Sequence, residues 1–246
     1  MTVQNFIRLL TGRVNEGTPK SKQLLTDEGS NILIYMTGHG GDGFLKFQDS
    51  EEITSVELAD AFEQMWQKRR YNQILFIVDT CQAESLSQKL YSPNILGVGS
   101  SKVGEDSLSH HGDPTIGVYV IDRYTYYALD FLEKVTLKSN HTLGQFLSVC
   151  PKRYCISTVT VRTDLYRRDP DQVPLTDFFG HIPRVELINV ESDIDANEMI
   201  RKKDKLNDEN DNDVRGHKSS DLIINVFKNA KITQTANDMP KKITVM

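Results

Sequence analysis

Two short, continuous apolar runs, separated by a helix-forming segment, constrain the fold of this chain most. Residues 32–36 read ILIYM and residues 74–78 read ILFIV. Runs this short and this apolar are typical of strands buried on both faces. Between them, Thr54 and Glu57 have the spacing of a capping box, and apolar residues follow at helical intervals. Strand, helix and strand form a βαβ unit, so the sequence predicts two parallel strands with a right-handed crossover.

Later segments extend the same pattern. Residues 95–99 are predicted as a third strand, after a short helix around residues 84–90. Residues 122–135 and 143–149 read as helices, and residues 157–162 alternate as a strand does. The predicted fold class is therefore α/β, with a mostly parallel sheet flanked by helices.

Composition excludes several classes of protein. The chain has 246 residues, of which 38% are hydrophobic, enough for a sizeable core. Its formal charge of −5 lacks the basic footprint of a nucleic-acid binder, so no nucleic-acid partner is expected. No apolar run approaches the roughly 18 residues of a membrane helix, and the first residues do not resemble a signal peptide. The three cysteines leave at least one thiol unpaired within the chain.

The composition changes after about Glu191. Residues 202–221 have almost no apolar side chains, so they cannot bury enough surface to offset their ordering entropy. We interpret residues 1–190 as the folded domain, residues 191–221 as a flexible polar linker and residues 222–246 as a C-terminal tail.

The first strand runs into the glycine-rich segment 38–43, GHGGDG, which contains His39. The segment matches the dinucleotide-binding pattern G-x-G-x-x-G, but that motif needs a helix to begin at the loop, and the helix cap comes only at Thr54. A second interpretation is a glycine turn with a surface histidine. The third makes His39 a catalytic base, because sites form at the carboxyl ends of parallel strands and glycines let a substrate backbone approach closely.

The second strand favours the third interpretation. It continues into Asp79-Thr80-Cys81-Gln82, which places Cys81 at the same edge of the sheet as His39. Adjacent strands lie about 4.8 Å apart, and an imidazole beside a thiol helps to form the nucleophilic thiolate. A lone cysteine is more often a small buried hydrophobe, but the polar residues around Cys81 argue against that. Asp79 is expected to be a solvated strand end, with a loop anchor as the alternative.

These residues also indicate a family. GHGG at 38–41 and DTCQ at 79–82 resemble the caspase/legumain-type cysteine peptidases. MTGHGGDGFLKFQDSEEI, ADAFEQMWQKRRYNQILFIVDTCQ and YSPNILGVGSS resemble more closely the catalytic subunits of GPI-anchor transamidase, over about residues 2–180. The caspase signature Gln-Ala before the cysteine is absent, which favours the legumain branch.

The resemblance implies a caspase/legumain-like three-layer fold for the catalytic domain, residues 1–190. Members of this family have a signal peptide, a further N-terminal strand and helix and a C-terminal membrane helix, none of which this sequence shows clearly. The expectation is therefore a domain that is truncated at its N-terminus.

The resemblance further implies a reaction. Cys81 would cleave a C-terminal signal from a proprotein through a thioester, and His39 would move the protons. The acyl group would pass to the phosphoethanolamine amine of a GPI lipid. Backbone N–H groups of Gly40 and Cys81 are the expected oxyanion hole. The alternatives are a legumain-like endopeptidase and a non-catalytic fragment or scaffold subunit.

Partners and location also follow from the resemblance. The expected partners are a proprotein with a GPI-attachment signal, a GPI lipid and other subunits of a membrane complex. The expected location is the lumenal side of the endoplasmic reticulum. No cofactor is expected.

Several further residues are candidates for the substrate pocket or for a metal site. Ser100 and Ser101 end the third strand, where they either shape the first specificity pocket or cap the strand. Glu105 and Asp106 follow in a loop that is a candidate for lining the cleft. A zinc site is not predicted, because no short paired-ligand spacing links the available ligands, which are His39, Cys81, His110 and His111.

Two short motifs each allow two interpretations. Cys150 and Cys155, in CPKRYC, form a disulfide or remain thiols. Asn140-His141-Thr142 fits an N-glycosylation acceptor, a pattern that is common by chance.

Overall fold

The computed structural model describes residues 2–48, 50–136, 138–179 and 242–245. The predicted linker, residues 191–221, lies outside these residues. The described helices are α1 (Val3–Leu10), α2 (Ser55–Gln67), α3 (Ser85–Gln88), α4 (Arg123–Glu133), α5 (Leu143–Leu147) and α6 (Lys152–Cys155). The described strands are β1 (Asn31–Thr37), β2 (Gly40–Gly41), β3 (Phe44–Phe47), β4 (Glu51–Thr54), β5 (Gln73–Asp79), β6 (Ile95–Gly99), β7 (Ser109–Asp113), β8 (Val118–Asp122), β9 (Thr160–Arg162) and β10 (Lys242–Val245).

The main sheet has the strand order β10-β1-β5-β6-β9. All neighbours pair in parallel except β9, which is antiparallel to β6. The register between β1 and β5 starts with Asn31 opposite Gln73 and ends with Thr37 opposite Asp79. The predicted parallel strand pair and the mostly parallel sheet are therefore confirmed.

Helices cover both faces of this sheet. Because successive side chains of a strand point to opposite faces, Ile32 and Ile34 join one apolar cluster with Phe62 of α2, whereas Leu33 joins a second cluster with Tyr124 of α4. The sheet is thus the middle of three layers. This arrangement confirms the predicted α/β class.

Helix α2 begins where the capping box predicted. Thr54 Oγ1 accepts a hydrogen bond from the backbone N–H of Glu57, and the Glu57 carboxylate accepts one from the backbone N–H of Thr54 at 2.8 Å. Such a cap typically contributes about 1 kcal/mol. It fixes the start of the crossover between the two strands that lead to the candidate site.

Several elements differ from the sequence-based expectation. The predicted strand at residues 157–162 is shorter, since only Thr160–Arg162 pairs with the sheet. Val3–Leu10 forms a helix that buries Val3, Phe6 and Leu10, a periodicity that the sequence analysis did not use. Lys242–Val245 pairs with β1, so this part of the predicted tail joins the sheet.

Two smaller sheets accompany the main one. A three-stranded sheet is formed by β2, β3 and β4, which lie between β1 and α2 in the sequence. An antiparallel hairpin is formed by β7 and β8. Neither was predicted, because β2 is only two residues long and the residues of β7 and β8 lie mostly on the surface. Among the described helices, none is long and apolar enough to cross a bilayer.

Candidate active site

Strands β1 and β5 bring His39 and Cys81 to one edge of the sheet. Thr37 and Asp79 are the last paired residues of these strands, and the Gly38 N–H then donates to the Asp79 carbonyl at 3.4 Å. His39 and Cys81 are each the second residue beyond that last pair. His39 is exposed, and Cys81 is a half-buried free thiol.

The glycine segment after β1 turns into the β2–β3 hairpin. Gly40 pairs with Leu45, and the Lys46 N–H donates to the His39 carbonyl at 2.7 Å. The next helix begins only at Ser55. The dinucleotide-binding motif requires the helix that follows the loop in sequence to begin at the loop itself; since that helix begins twelve residues after Gly43, the dinucleotide-binding alternative is wrong.

Gly40 lies against the loop that contains Cys81. A Cβ atom at Gly40 would be 2.6 Å from Thr80 Oγ1 and 2.8 Å from the Phe44 carbonyl oxygen. Both distances are far shorter than the contact optimum of about 3.5–4.0 Å. A glycine is therefore required here for the two loops to pack together.

Ser85 links the glycine loop to the Cys81 loop. Its buried hydroxyl accepts from the Gly43 N–H at 2.8 Å and lies 2.7 Å from the Gln82 carbonyl and 3.2 Å from the Gly41 carbonyl. Ser85 was not predicted from the sequence. A serine at the start of a short helix has no local pattern that distinguishes it from an ordinary polar residue.

Asp79 is a buried anchor at the end of β5. It is 1% exposed, and its carboxylate accepts from the Ser107 hydroxyl at 2.9 Å, from the Thr125 hydroxyl at 2.6 Å and from the Thr125 N–H at 3.1 Å. A buried carboxylate needs such donors, because an unpaired buried charge is costly. The expected solvated strand end is therefore wrong, and the anchor alternative is confirmed.

Ser100 and Ser101 are fully buried and support the Cys81 loop from below. The Ser100 hydroxyl accepts from the Thr80 N–H at 3.2 Å and donates to the Ser107 hydroxyl at 3.0 Å. The Ser101 hydroxyl accepts from the Ala83 N–H at 3.1 Å and donates to the Thr80 carbonyl at 2.7 Å. Neither side chain has surface open to a ligand. We assign both a positioning role and no pocket-lining role.

Glu105 holds the segment beside Cys81 in place. Its carboxylate accepts from the Thr158 N–H at 2.7 Å and from the Thr158 hydroxyl at 2.9 Å, and these bonds lower the pKa of Glu105 to about 2. Its carbonyl accepts from the Gln82 N–H at 2.9 Å. Glu105 is thus a brace between two loops, whereas Asp106 is exposed and close to the thiol.

Two carboxylates set the electrostatics around Cys81. The thiol donates to the Ser107 carbonyl at 3.9 Å. Burial is the main cause that raises the pKa of the Cys81 thiol, and the charges of Asp106 and Asp122 raise it further. The sulfur is therefore protonated over a wider pH range than an isolated cysteine.

Asp122 lies near both candidate catalytic residues. It accepts from the Thr37 hydroxyl at 2.8 Å. Its pKa is raised, chiefly by burial and also by Asp79, while the Thr37 hydrogen bond and the charge of His39 oppose this. From the sequence, Asp122 was predicted only as the start of a helix. An acidic residue directly after the apolar run VYVI was the available signal.

The described residues contain no cluster of three His, Cys, Asp or Glu side chains that could hold a metal ion. The rings of His110 and His111 pack against each other in a tilted arrangement and edge-on against Tyr126, with ring centroids 4.2–4.8 Å apart. Aromatic packing thus accounts for the histidine pair.

Cys150 and Cys155 form a disulfide. This outcome confirms one of the two alternatives for CPKRYC. The bond closes the short segment that includes α6, from which Lys152 reaches the Glu105 carboxylate at 3.5 Å.

Comparison with known families decides the class of this protein. The model of the peptidase C13 family matches residues 1–159. The chain belongs to the peptidase C13 family. This membership confirms the predicted resemblance and the caspase/legumain-like fold. The matched range includes both strand ends, the glycine loop and the disulfide of the candidate site.

Curated relatives of this C13 chain have one name in common. A Drosophila melanogaster protein, provisionally named GPI-anchor transamidase, is 71% identical over 182 residues, which are 74% of this chain and 51% of the relative. The GPI-anchor transamidase of Homo sapiens is 57% identical over 212 residues, 85% of this chain and 54% of the relative. The GPI-anchor transamidase of Saccharomyces cerevisiae is 59% identical over 185 residues, which are 75% of this chain and 45% of the relative. The chain spans about half the length of the curated relatives it matches.

Proposed function

We propose that this C13 chain is the catalytic part of a cysteine-dependent transamidase that attaches GPI anchors to proteins. The main support is the position of His39 and Cys81, each two residues beyond the last pair of neighbouring parallel strands. The relatives that bear the name GPI-anchor transamidase cover most of this chain at 57–71% identity. The placement of these two residues and the similarity to these relatives together favour acyl transfer through a thioester over a binding or scaffold role.

The first half of the reaction cleaves the proprotein. Cys81 Sγ bonds to the carbonyl carbon of the attachment residue while its proton passes to His39. The carbon–nitrogen bond then breaks, and His39 protonates the nitrogen of the departing hydrophobic signal. The products are the released signal peptide and a thioester on Cys81.

The second half transfers the acyl group. The amine of a phosphoethanolamine on the GPI lipid attacks the thioester carbon and gives its proton to His39. The carbon–sulfur bond breaks, and the sulfur recovers a proton from His39. An amide to the lipid results. Because one imidazole acts in both halves, its loss should block cleavage and transfer alike.

Backbone N–H groups of Gly40 and Cys81 are the proposed oxyanion donors. No described residue accepts a hydrogen bond from the Cys81 N–H. Gly40 lies against Thr80, the residue directly before Cys81, so the two amides belong to loops that touch. In acyl-transfer enzymes one such donor is worth about 3 kcal/mol.

The proposed substrates are a proprotein with a C-terminal GPI-attachment signal and a GPI lipid. Other subunits of a membrane complex would supply contacts for both. The proposed location is the lumenal side of the endoplasmic reticulum, where an oxidised Cys150–Cys155 pair is the expected state.

The test is complementation of cells that lack their transamidase with the full-length protein. Cys81→Ala and His39→Ala should abolish anchor attachment to a reporter while both proteins accumulate normally. His141→Ala is the matched control and should retain activity, since the His141 carbonyl accepts from the Leu175 N–H near the residues that contact Asn31, at the start of β1. Full activity of Cys81→Ala would contradict the proposal.

The nucleophile of the second step separates this proposal from the endopeptidase alternative. With hydrazine present, a transamidase should release the reporter as a hydrazide, because an amine opens the thioester. A peptidase would yield mainly the free acid. Free acid as the dominant product at every hydrazine concentration would favour the endopeptidase.

A further inference from the structure

Asn140 is part of the single Asn-x-Ser/Thr sequence in the 246 residues. Such a sequence accepts an N-linked glycan only where the asparagine lies on the surface of a protein that enters the secretory pathway. The acceptor residue is exposed, and it lies in an irregular segment between α4 and α5. The folded domain therefore has room for a large polar group on its side chain.

The segment lies at the edge of the sheet opposite the candidate site. The His141 carbonyl accepts from the Leu175 N–H at 2.9 Å, and the nearby Asp177 carbonyl accepts from the side chain of Asn31 at 3.1 Å. Asn31 is the first residue of β1, whereas His39 follows the last. Seven residues of strand separate the two edges by about 20 Å. A glycan here would leave the Cys81 edge open.

We infer that Asn140 is an N-glycosylation site. In this modification the Asn140 amide nitrogen bonds to the anomeric carbon of an oligosaccharide carried on a lipid pyrophosphate. The bond between that carbon and the pyrophosphate oxygen breaks, the amide loses one proton, and the lipid pyrophosphate is released. The inference rests on the proposed lumenal location, because the donor is found on that side of the membrane.

The structure determines which substitutions give a clean test. Thr142 completes the acceptor sequence, but its hydroxyl also caps α5 by accepting from the Gln145 N–H at 3.3 Å. Thr142→Ala would therefore remove the acceptor sequence and weaken the helix at once. Asn140→Gln removes the acceptor alone, and Thr142→Ser keeps both the hydroxyl of the acceptor sequence and the cap.

The experiment compares electrophoretic mobility of the full-length protein from eukaryotic cells before and after peptide-N-glycosidase. We expect one glycan-sized shift for the unsubstituted protein and for Thr142→Ser, and none for Asn140→Gln. Mass spectrometry after the enzyme should show Asn140 converted to aspartate. Asn140→Gln should still attach anchors at the unsubstituted rate, because the site lies at the other edge.

A second acceptor distinguishes failure of this inference from failure of the proposed location. Pro19→Asn completes an Asn-Lys-Ser sequence with Lys20 and Ser21 in an exposed segment. If that variant gains a shift and Asn140 shows none, the chain is lumenal and the inference is overturned. If neither position is modified, both the inference and the lumenal location fail.

Discussion

Substitution of Gly40 by alanine tests whether the contact between the two loops matters for chemistry. The new Cβ would lie 2.6 Å from Thr80 Oγ1 and 2.8 Å from the main-chain oxygen of Phe44. Relief requires a loop displacement of roughly 1 Å, since the optimum contact distance is about 3.5–4.0 Å. The Phe44 oxygen belongs to β3 and cannot rotate away. Overpacking of this kind typically costs about 1–3 kcal/mol of folding free energy.

The expected effect on catalysis is larger than the effect on stability. Displacement of a proposed oxyanion donor by about 1 Å lowers the rate about 100-fold or more. The assay is hydrazine-dependent release of a reporter, measured per folded molecule, beside thermal unfolding of the same preparation. We expect a lowering of the melting temperature by a few degrees, together with the loss of nearly all turnover.

Two other glycines provide the controls. A Cβ at Gly29 would meet only Asp27 Oδ1, at 3.6 Å, so Gly29→Ala should match the unsubstituted protein in both measurements. A Cβ at Gly41 would be 2.7 Å from the ring of Phe44, a side chain that can turn aside, so Gly41→Ala should lose less activity than Gly40→Ala. A folded Gly40→Ala protein with nearly full turnover would refute the role assigned to Gly40.

Three further substitutions follow from the charges around the site. Asp106→Asn removes a negative charge that raises the pKa of Cys81, so the pH profile of Cys81 alkylation should shift to lower pH, and an unchanged profile would contradict this. Asp79→Asn turns one acceptor oxygen of a buried carboxylate into a donor facing other donors, so denaturant titration should show a loss of about 2–3 kcal/mol. Glu105 has a folded-state pKa of about 2, below the ordinary value of 4.5, so it stabilises the fold above pH 4.5 and this contribution is lost as the pH falls from 4.5 to 2. Glu105→Gln should accordingly flatten the pH dependence of unfolding in that window, and an unaltered slope would show that Glu105 is not responsible.

The features predicted best from the sequence are the strands and helix caps that depend on residues close together in the chain. The strands at 32–36 and 74–78 and the capping box at Thr54 depend on apolar runs and a four-residue spacing, and all three agree with the structure. The edge that receives His39 and Cys81 followed from the parallel pairing of those strands. The local hydrophobic pattern and the right-handed crossover of a βαβ unit were sufficient to predict these elements and the edge where the two residues lie.

Contacts between residues that are far apart in the sequence could not be predicted from local patterns. Asp79 was expected in solvent because aspartate usually is, yet its partners Ser107 and Thr125 follow 28 and 46 residues later. The burial of Ser100 likewise depends on how a later loop folds over the end of β6. Such side chains are identifiable only when the whole edge of the sheet is assembled.

The protonation state of Cys81 bears on how the proposed reaction begins. Burial, Asp106 and Asp122 all favour the neutral thiol, whereas many catalytic cysteines are held as thiolates beside a cation. A sulfur with a higher pKa is intrinsically more nucleophilic once it is deprotonated, and it is less reactive toward oxidants and alkylating agents until then. In the proposed mechanism the sulfur therefore loses its proton as it attacks the substrate carbonyl. His39, which follows the adjacent strand at the same edge of the sheet, is the proposed base for that proton.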